Sequence, residues 1–141
     1  MSVINIQVDS LIFNFPDLWK VCKYDEWAFY RNQFSKMSPG IKAVDLLAIE
    51  SQVIWLIEAK DYRQHPRTKT IDLADEVVQK VLYTLAAMLP AKINASNTSE
   101  SYFATEVLKG QQLRVVLHLE QPVKTSKLFR IGSINRGNRG K

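Results

Sequence analysis

The sequence predicts an α/β fold in which helices flank a mixed sheet, with a β-hairpin added at the N-terminus. Residues 42–49 and 53–60 are apolar at nearly every position, as in central strands that are covered on both faces. Residues 113–120 alternate apolar and polar side chains, which is typical of a third strand. Between them, residues 72–89 repeat apolar side chains at helical spacing, so we expect a helix that crosses between strands of one sheet.

The N-terminal hairpin is predicted from a second alternating pattern. Residues 3–8 and 11–15 alternate apolar and polar side chains on either side of Asp9-Ser10, which is typical of two strands joined by a tight turn. Residues 19–24 continue in a strand-like pattern, and they are expected to extend this hairpin.

Three helices are predicted from apolar residues that recur at threes and fours. The first begins at Asp25 as its N-cap and runs to Met37, although residues 28–34 also fit a strand. The second, over 72–89, has Asp72 as its cap and is expected to end before Pro90. The third, over 102–108, follows a polar linker.

Charged residues interrupt the two apolar strands, and this is the best indication of a functional site. If the hairpin turns at Ser51-Gln52, Asp45 lies opposite Glu58, with their Cβ atoms about 5 Å apart. Side chains alternate faces along a strand, so Lys60 emerges on the same side as Glu58. A three-residue loop would instead place Asp45 opposite Ile57.

Two neighbouring carboxylates repel each other unless a cation lies between them, so the sequence predicts a divalent metal site. Asp45 and Glu58, with the backbone carbonyl of Ala59, are oxygen ligands that suit Mg²⁺ or Mn²⁺. Lys60 would then orient an attacking water or stabilise charge on a phosphorus atom, as phosphodiester hydrolysis requires. The alternative is a salt-bridge cluster at a solvated strand end.

Further residues are candidates for binding the substrate. The loop after the second strand carries Arg63 and Arg67 near Tyr62, and these cations suit contact with backbone phosphates. On the predicted helix 72–89, Gln79 and Tyr83 are spaced i and i+4 on one face, which fits either substrate contact or a polar helix flank.

These motifs resemble a known family. Asp45, then Glu58-Ala59-Lys60, then Gln79-x-x-x-Tyr83 is similar to the pattern of the PD-(D/E)XK restriction-endonuclease-like nuclease superfamily, in its RecB-type branch. The resemblance implies a restriction-endonuclease-like fold and Mg²⁺-dependent cleavage of DNA. It also implies metal ligation by Asp45 and Glu58, catalysis by Lys60, and substrate contact by Gln79 and Tyr83. A helix acid often approaches the metal in such nucleases, which makes Glu26 a possible additional ligand.

Composition indicates one domain followed by a basic tail. The chain has 141 residues, is 46% hydrophobic and carries a formal net charge of +5. We therefore expect a single nuclease-like domain over 1–123 and a flexible tail over 124–141, which either contacts phosphates or is a solvated end. The tail contains no acid and six bases: Lys124, Lys127, Arg130, Arg136, Arg139 and Lys141.

Together these observations predict a metal-dependent nuclease that hydrolyses DNA phosphodiester bonds. The alternative is a non-catalytic DNA- or protein-binding domain on a nuclease-like core. DNA is the expected partner, RNA is not excluded, and a homodimer is expected if the enzyme cuts both strands. The sequence has no apolar stretch of about 18 residues and no basic leader, so we expect a cytoplasmic protein without membrane contact.

Overall fold

The computed structural model describes residues 2–121, which form a four-stranded sheet, a separate hairpin and three α-helices. The predicted tail, 124–141, lies outside the described residues. In chain order the elements are β1 (Val3–Val8), β2 (Leu11–Pro16), β3 (Lys20–Cys22), α1 (Ala28–Asn32), β4 (Leu46–Glu50), β5 (Val53–Asp61), α2 (Leu73–Asn94), α3 (Thr98–Leu108) and β6 (Gln112–Glu120).

The larger sheet is mixed, as the sequence predicts. Its strand order is β3-β4-β5-β6, and only the β5–β6 pair is parallel. In the β4–β5 hairpin, Leu46 pairs with Ile57 and Glu50 pairs with Val53, which is the register that a two-residue turn at Ser51-Gln52 predicts. The strand predicted over 42–49 is shorter at its start, since β4 begins at Leu46.

Two apolar layers cover this sheet, because successive residues of β4 and β5 point to opposite faces. Leu47 and Leu56 pack in a core cluster with residues of all three helices. Leu46 and Ile57 pack in a second cluster with the β1–β2 hairpin. Strands covered on both faces account for the nearly continuous apolar runs in the sequence.

The N-terminal hairpin forms as predicted, but its predicted extension is wrong. β1 and β2 pair from Val3 with Pro16 to Val8 with Leu11, and Asp9 adopts a left-handed φ of 54° in the turn. The segment predicted to extend the hairpin instead contributes β3, which pairs antiparallel with β4 at the sheet edge.

The continuous helix predicted from Asp25 to Met37 is also wrong, as is the alternative strand. This segment consists of the short helix α1 between two 3-10 turns, Tyr24–Glu26 and Phe34–Lys36. A straight helix cannot place Phe29 on the same side as Trp27 and Phe34, whereas the broken one buries all three. Asp25 does not cap α1, whose first amides donate instead to a side chain from α3.

That side chain is Glu100, a buried carboxylate. The backbone N–H groups of Ala28 and Phe29 donate to its two oxygens at 2.8 and 3.0 Å. A helix begins with amides that lack intrahelical partners, so a distant carboxylate satisfies them here and joins α3 to α1.

Helices α2 and α3 are longer than predicted. Asp72 caps α2 by accepting from the Ala74 amide at 3.1 Å, but the helix continues through Pro90 to Asn94. Proline deprives the carbonyl four residues earlier of its partner, and here that carbonyl belongs to the exposed Ala86, where water can replace it. Asn97 caps α3 within the predicted polar linker. Within residues 2–121, no helix is long and apolar enough to cross a bilayer.

Candidate functional site

The structure brings Asp45 and Glu58 into contact at the end of the β4–β5 hairpin. Asp45 is the residue before β4, and its backbone N–H donates to Glu58 Oε1 at 3.2 Å. In return, the Ala59 amide donates to Asp45 Oδ2 at 2.8 Å. Glu58 is only 1% exposed and Asp45 is half-buried, so the two carboxyl groups meet where little water reaches them.

Such proximity changes the protonation of Asp45. Burial, together with the negative charge of Glu58, raises the pKa of Asp45 to about 7. Burial and the charge of Glu58 together outweigh the amide of Ala59 and the charge of Lys80, which both lower this pKa. Below neutral pH, the pair therefore holds a proton and a single negative charge.

Two lysines neutralise the remaining charge on Glu58. Lys60 Nζ lies 3.3 Å from Glu58 Oε2, and Lys80 from α2 donates to the same oxygen. The side chains of Lys60 and Lys80 are 14% and 15% exposed. The site therefore consists of a protonated acid, a carboxylate and two shielded ammonium groups.

A second buried carboxylate, Glu76 at the start of α2, gathers an even larger set of cations. We call this group the Glu76 cluster; it contains Glu76 with Lys60, Arg67, Lys69 and Lys80. The shortest nitrogen-to-oxygen distances to Glu76 are 2.9 Å from Lys60, 2.8 Å from Arg67, 2.8 Å from Lys69 and 3.5 Å from Lys80.

The cluster sets the ionisation of Glu76. Glu76 is fully buried, and burial alone would raise its pKa. Hydrogen bonds from Lys69, Arg67 and Lys60 outweigh this effect and hold the pKa of Glu76 well below its usual range. Burial lowers the pKa of Lys60, but its hydrogen bond to Glu76 and the nearby charge of Glu58 raise it by more. The pKa of Lys60 is therefore above its usual value.

The donor set as arranged does not fit a divalent metal. Four cations surround Glu58 and Glu76, so the lysines already provide the positive charge that an ion would bring. Within residues 2–121, no group of three or more His, Cys, Asp or Glu side chains is arranged to hold a metal ion. The predicted Mg²⁺ or Mn²⁺ site and the catalytic roles of Asp45, Glu58 and Lys60 stay predictions.

Of the other predicted site residues, only Arg67 joins the cluster. Arg63 pairs with Asp61 at 2.8 Å, and Glu26 pairs with Lys23 at 3.3 Å. Gln79 and Tyr83 are half-buried on α2, and within the described part of the chain neither forms a hydrogen bond to the Glu76 cluster.

Sequence reasoning missed Glu76 and gave Lys80 no role. Their spacing of i and i+4 on a helix was a signal, because such residues lie side by side. The surplus of cations in the loop 62–72 was another, since buried cations need carboxylates nearby. Arg67 Nη1 also donates to the Tyr62 hydroxyl at 3.0 Å within the loop, and the same atom joins the loop to α2 through Glu76 at 2.8 Å.

Comparison with curated proteins gives a match to a ligase. A cysteine–tRNA ligase from Neisseria meningitidis serogroup A / serotype 4A (strain Z2491) is 31% identical over 149 residues. The alignment covers 84% of this chain and 21% of the ligase, so the chain spans about a fifth of that relative's length. No family model and no solved structure matches the chain.

This match corrects the predicted function. The relative is an enzyme, but it is a ligase that acts on tRNA, which contradicts the prediction of a DNA-cleaving nuclease and of the hydrolase class. The same match also overturns the alternative, a DNA- or protein-binding domain on a nuclease-like core. The resemblance to the PD-(D/E)XK superfamily, and the restriction-endonuclease-like form of the α/β fold, stay predictions.

Proposed function

We propose that this chain is a tRNA-binding domain that acts in support of aminoacylation. The match to a cysteine–tRNA ligase carries this proposal, since that enzyme's name states that it joins cysteine to tRNA. The aligned part is about a fifth of the ligase. We therefore propose binding of the shared substrate, tRNA, rather than the complete ligase reaction.

The charge of the Glu76 cluster supports this proposal. Its four cations face two carboxylates, Glu58 and Glu76, so the cluster keeps an excess of positive charge. Carboxylates and phosphates attract the same groups, and nucleic-acid binding proteins neutralise phosphates with lysine and arginine. An excess of cations in a partly buried position therefore favours a polyanionic ligand.

Lys69 is the member of the cluster best placed to reach such a ligand. Its side chain is 52% exposed, whereas those of Lys60, Arg67 and Lys80 are 14%, 18% and 15% exposed. In the same loop, the Arg63 side chain is 44% exposed. We propose that Lys69 and Arg63 contact tRNA phosphates directly. The less exposed Lys60, Arg67 and Lys80 would add to the electrostatic attraction without direct contact.

Binding of a tRNA transcript, measured by fluorescence anisotropy over a range of salt concentrations, tests the proposal. Lys69→Gln should weaken binding by about fivefold, which corresponds to ~1 kcal/mol for an exposed charge contact. Because one phosphate contact is lost, the slope of log Kd against log salt should fall by about 0.7 to 0.9.

Lys109→Gln is the matched control. Lys109 also pairs with one glutamate, Glu106, at 2.9 Å, and its side chain is 68% exposed. Lys109 is far from the Glu76 cluster. It lies two residues before Gln111, whose amide donates to the Gln52 carbonyl beside the start of β5. Lys60 lies about 23 Å further along this strand. The proposal fails if both variants weaken binding equally, or if a DNA duplex of similar length binds as tightly as tRNA.

A further inference from the structure

Strand β6 forms an open edge of the four-stranded sheet. It has nine residues and pairs along one side with β5. Within residues 2–121, no strand pairs with its other side. The strand contains no proline or lysine, which are residues that commonly protect sheet edges. As far as residue 121, the outer backbone N–H and C=O groups of β6 are therefore available to another strand.

The same strand exposes a row of large apolar side chains. Leu113, Val115 and Leu117 are 57%, 52% and 37% exposed. The register with β5 places them beside Ile54, Leu56 and Glu58, on the face of the sheet that carries the helices. On this face, α2 also exposes apolar side chains along its length: Val78, Leu82, Leu89 and Ile93. An exposed apolar row on an edge strand marks an interaction surface.

We infer that β6 pairs antiparallel with β6 of a second copy of this chain, which joins the two sheets into one of eight strands. Two-fold symmetry makes the interface self-complementary, so each contact away from the axis occurs twice. With Leu117 on the two-fold axis, residues whose numbers sum to 234 lie opposite each other. Val115 then lies opposite Leu119 of the second copy, so the apolar row continues across the interface.

Charge complementarity selects this register. Arg114 and Glu120 lie on the other face of β6, and in this register Arg114 faces Glu120 of the second copy at both ends of the interface. An axis at Val116 would place Arg114 opposite His118 and Glu120 opposite Gln112, so both ion pairs would be lost. Opposite charges on facing residues stabilise antiparallel strands, whereas like charges destabilise them.

The oligomeric state of the full chain in solution tests the inference. Sedimentation velocity at up to about 100 μM should show a species of about 32 kDa, twice the 16.2 kDa of one chain. Val115→Lys should raise the dimer dissociation constant at least tenfold, because it places a charge in the apolar row. Leu18→Lys is the control, since Leu18 is 91% exposed and precedes β3 at the opposite edge, and it should leave the dimer intact.

A charge exchange tests the register independently of folding. Arg114→Glu and Glu120→Arg should each weaken the dimer by about tenfold, and the double variant should restore it. A monomer at every concentration would overturn the inference, and residues 122–141 or a different protein would then be left to cover β6. If the wild type dimerises but the double variant does not regain its affinity, the proposed antiparallel register is overturned. Neither result depends on tRNA binding, so this test is separate from that of the proposed function.

Discussion

Glu76→Gln is the most informative single change, because this carboxylate contacts four cations at once. Its residue is fully buried, and Lys60, Arg67 and Lys69 lie within 2.9 Å of its oxygens. The amide of glutamine is neutral, so the shielded Lys60 and Lys80 would keep only Glu58 as their partner. Breaking a buried ion pair by removing one partner costs about 3–5 kcal/mol, and we expect the free energy of unfolding to fall by this amount.

Urea denaturation, followed by tryptophan fluorescence at pH 7, measures this loss. Glu106→Gln is the control, because Glu106 pairs with the exposed Lys20 and Lys109, and its loss should destabilise the fold much less than the loss of Glu76. The pH dependence gives a second measurement. The pKa of Glu76 is lowered by folding, so its contribution is present above the unfolded pKa of about 4.3 and is lost as the pH falls below it. Equal stability of the two variants at pH 7 would refute the assigned role of Glu76.

Two further predictions concern Asp45 and the metal. Folding raises the pKa of Asp45 to about 7, so its contribution is present below the unfolded value of about 3.9 and is lost as the pH rises towards 7. The free energy of unfolding of the wild type, measured by urea titration, should therefore fall relative to that of Asp45→Asn as the pH is raised to 8, by more than about 1 kcal/mol. If the free energies of the two proteins change in parallel with pH, the shared proton is contradicted. Because the lysines occupy the place of a cation, Mg²⁺ or Mn²⁺ at about 5 mM should leave the melting temperature unchanged relative to EDTA. A bound ion with a Kd near 0.05 mM would add about 2.7 kcal/mol, and a rise in melting temperature that Glu58→Gln abolishes would restore the predicted metal site.

The central hairpin was predictable from sequence because its residues are constrained on both faces. Apolar side chains at nearly every position from Val53 to Ile57 fit only a strand buried on both sides. A one-residue slip would move Glu58 into the layer beneath the β1–β2 hairpin, so burial also fixes the register. The contact of Asp45 with Glu58 follows from that register.

The rest of the site depends on contacts that no local pattern contains. Glu76 acquires its partners only when the loop 62–72 folds back over α2 and brings Arg67 and Lys69 to it. A sequence pattern indicates a pair on one helix, such as Glu76 and Lys80, but it does not identify the distant carboxylate that a cation in a loop reaches. This is why the sequence showed two acids and one lysine, from which a metal was predicted, but not the two further lysines and the arginine that the folded chain brings to them.

The segment around α1 was wrongly predicted for a similar reason. Its aromatic residues recur at helical spacing, but Phe29 must also be buried, and Glu100 from a distant helix satisfies the first amides of α1. Both are tertiary effects, and they override local helix propensity. In α2, conversely, twenty-two residues with a strong cap and a packed face tolerate Pro90.

Through Glu76, one carboxylate ties together three separate parts of the chain: β5 through Lys60, the loop 62–72 through Arg67 and Lys69, and α2 itself. A phosphate that draws Lys69 outward exchanges one anionic partner of this lysine for another, while Lys60, Arg67 and Lys80 still neutralise Glu76. In the proposed complex, the loop can therefore change its contacts around a ligand while the buried charge of Glu76 stays paired.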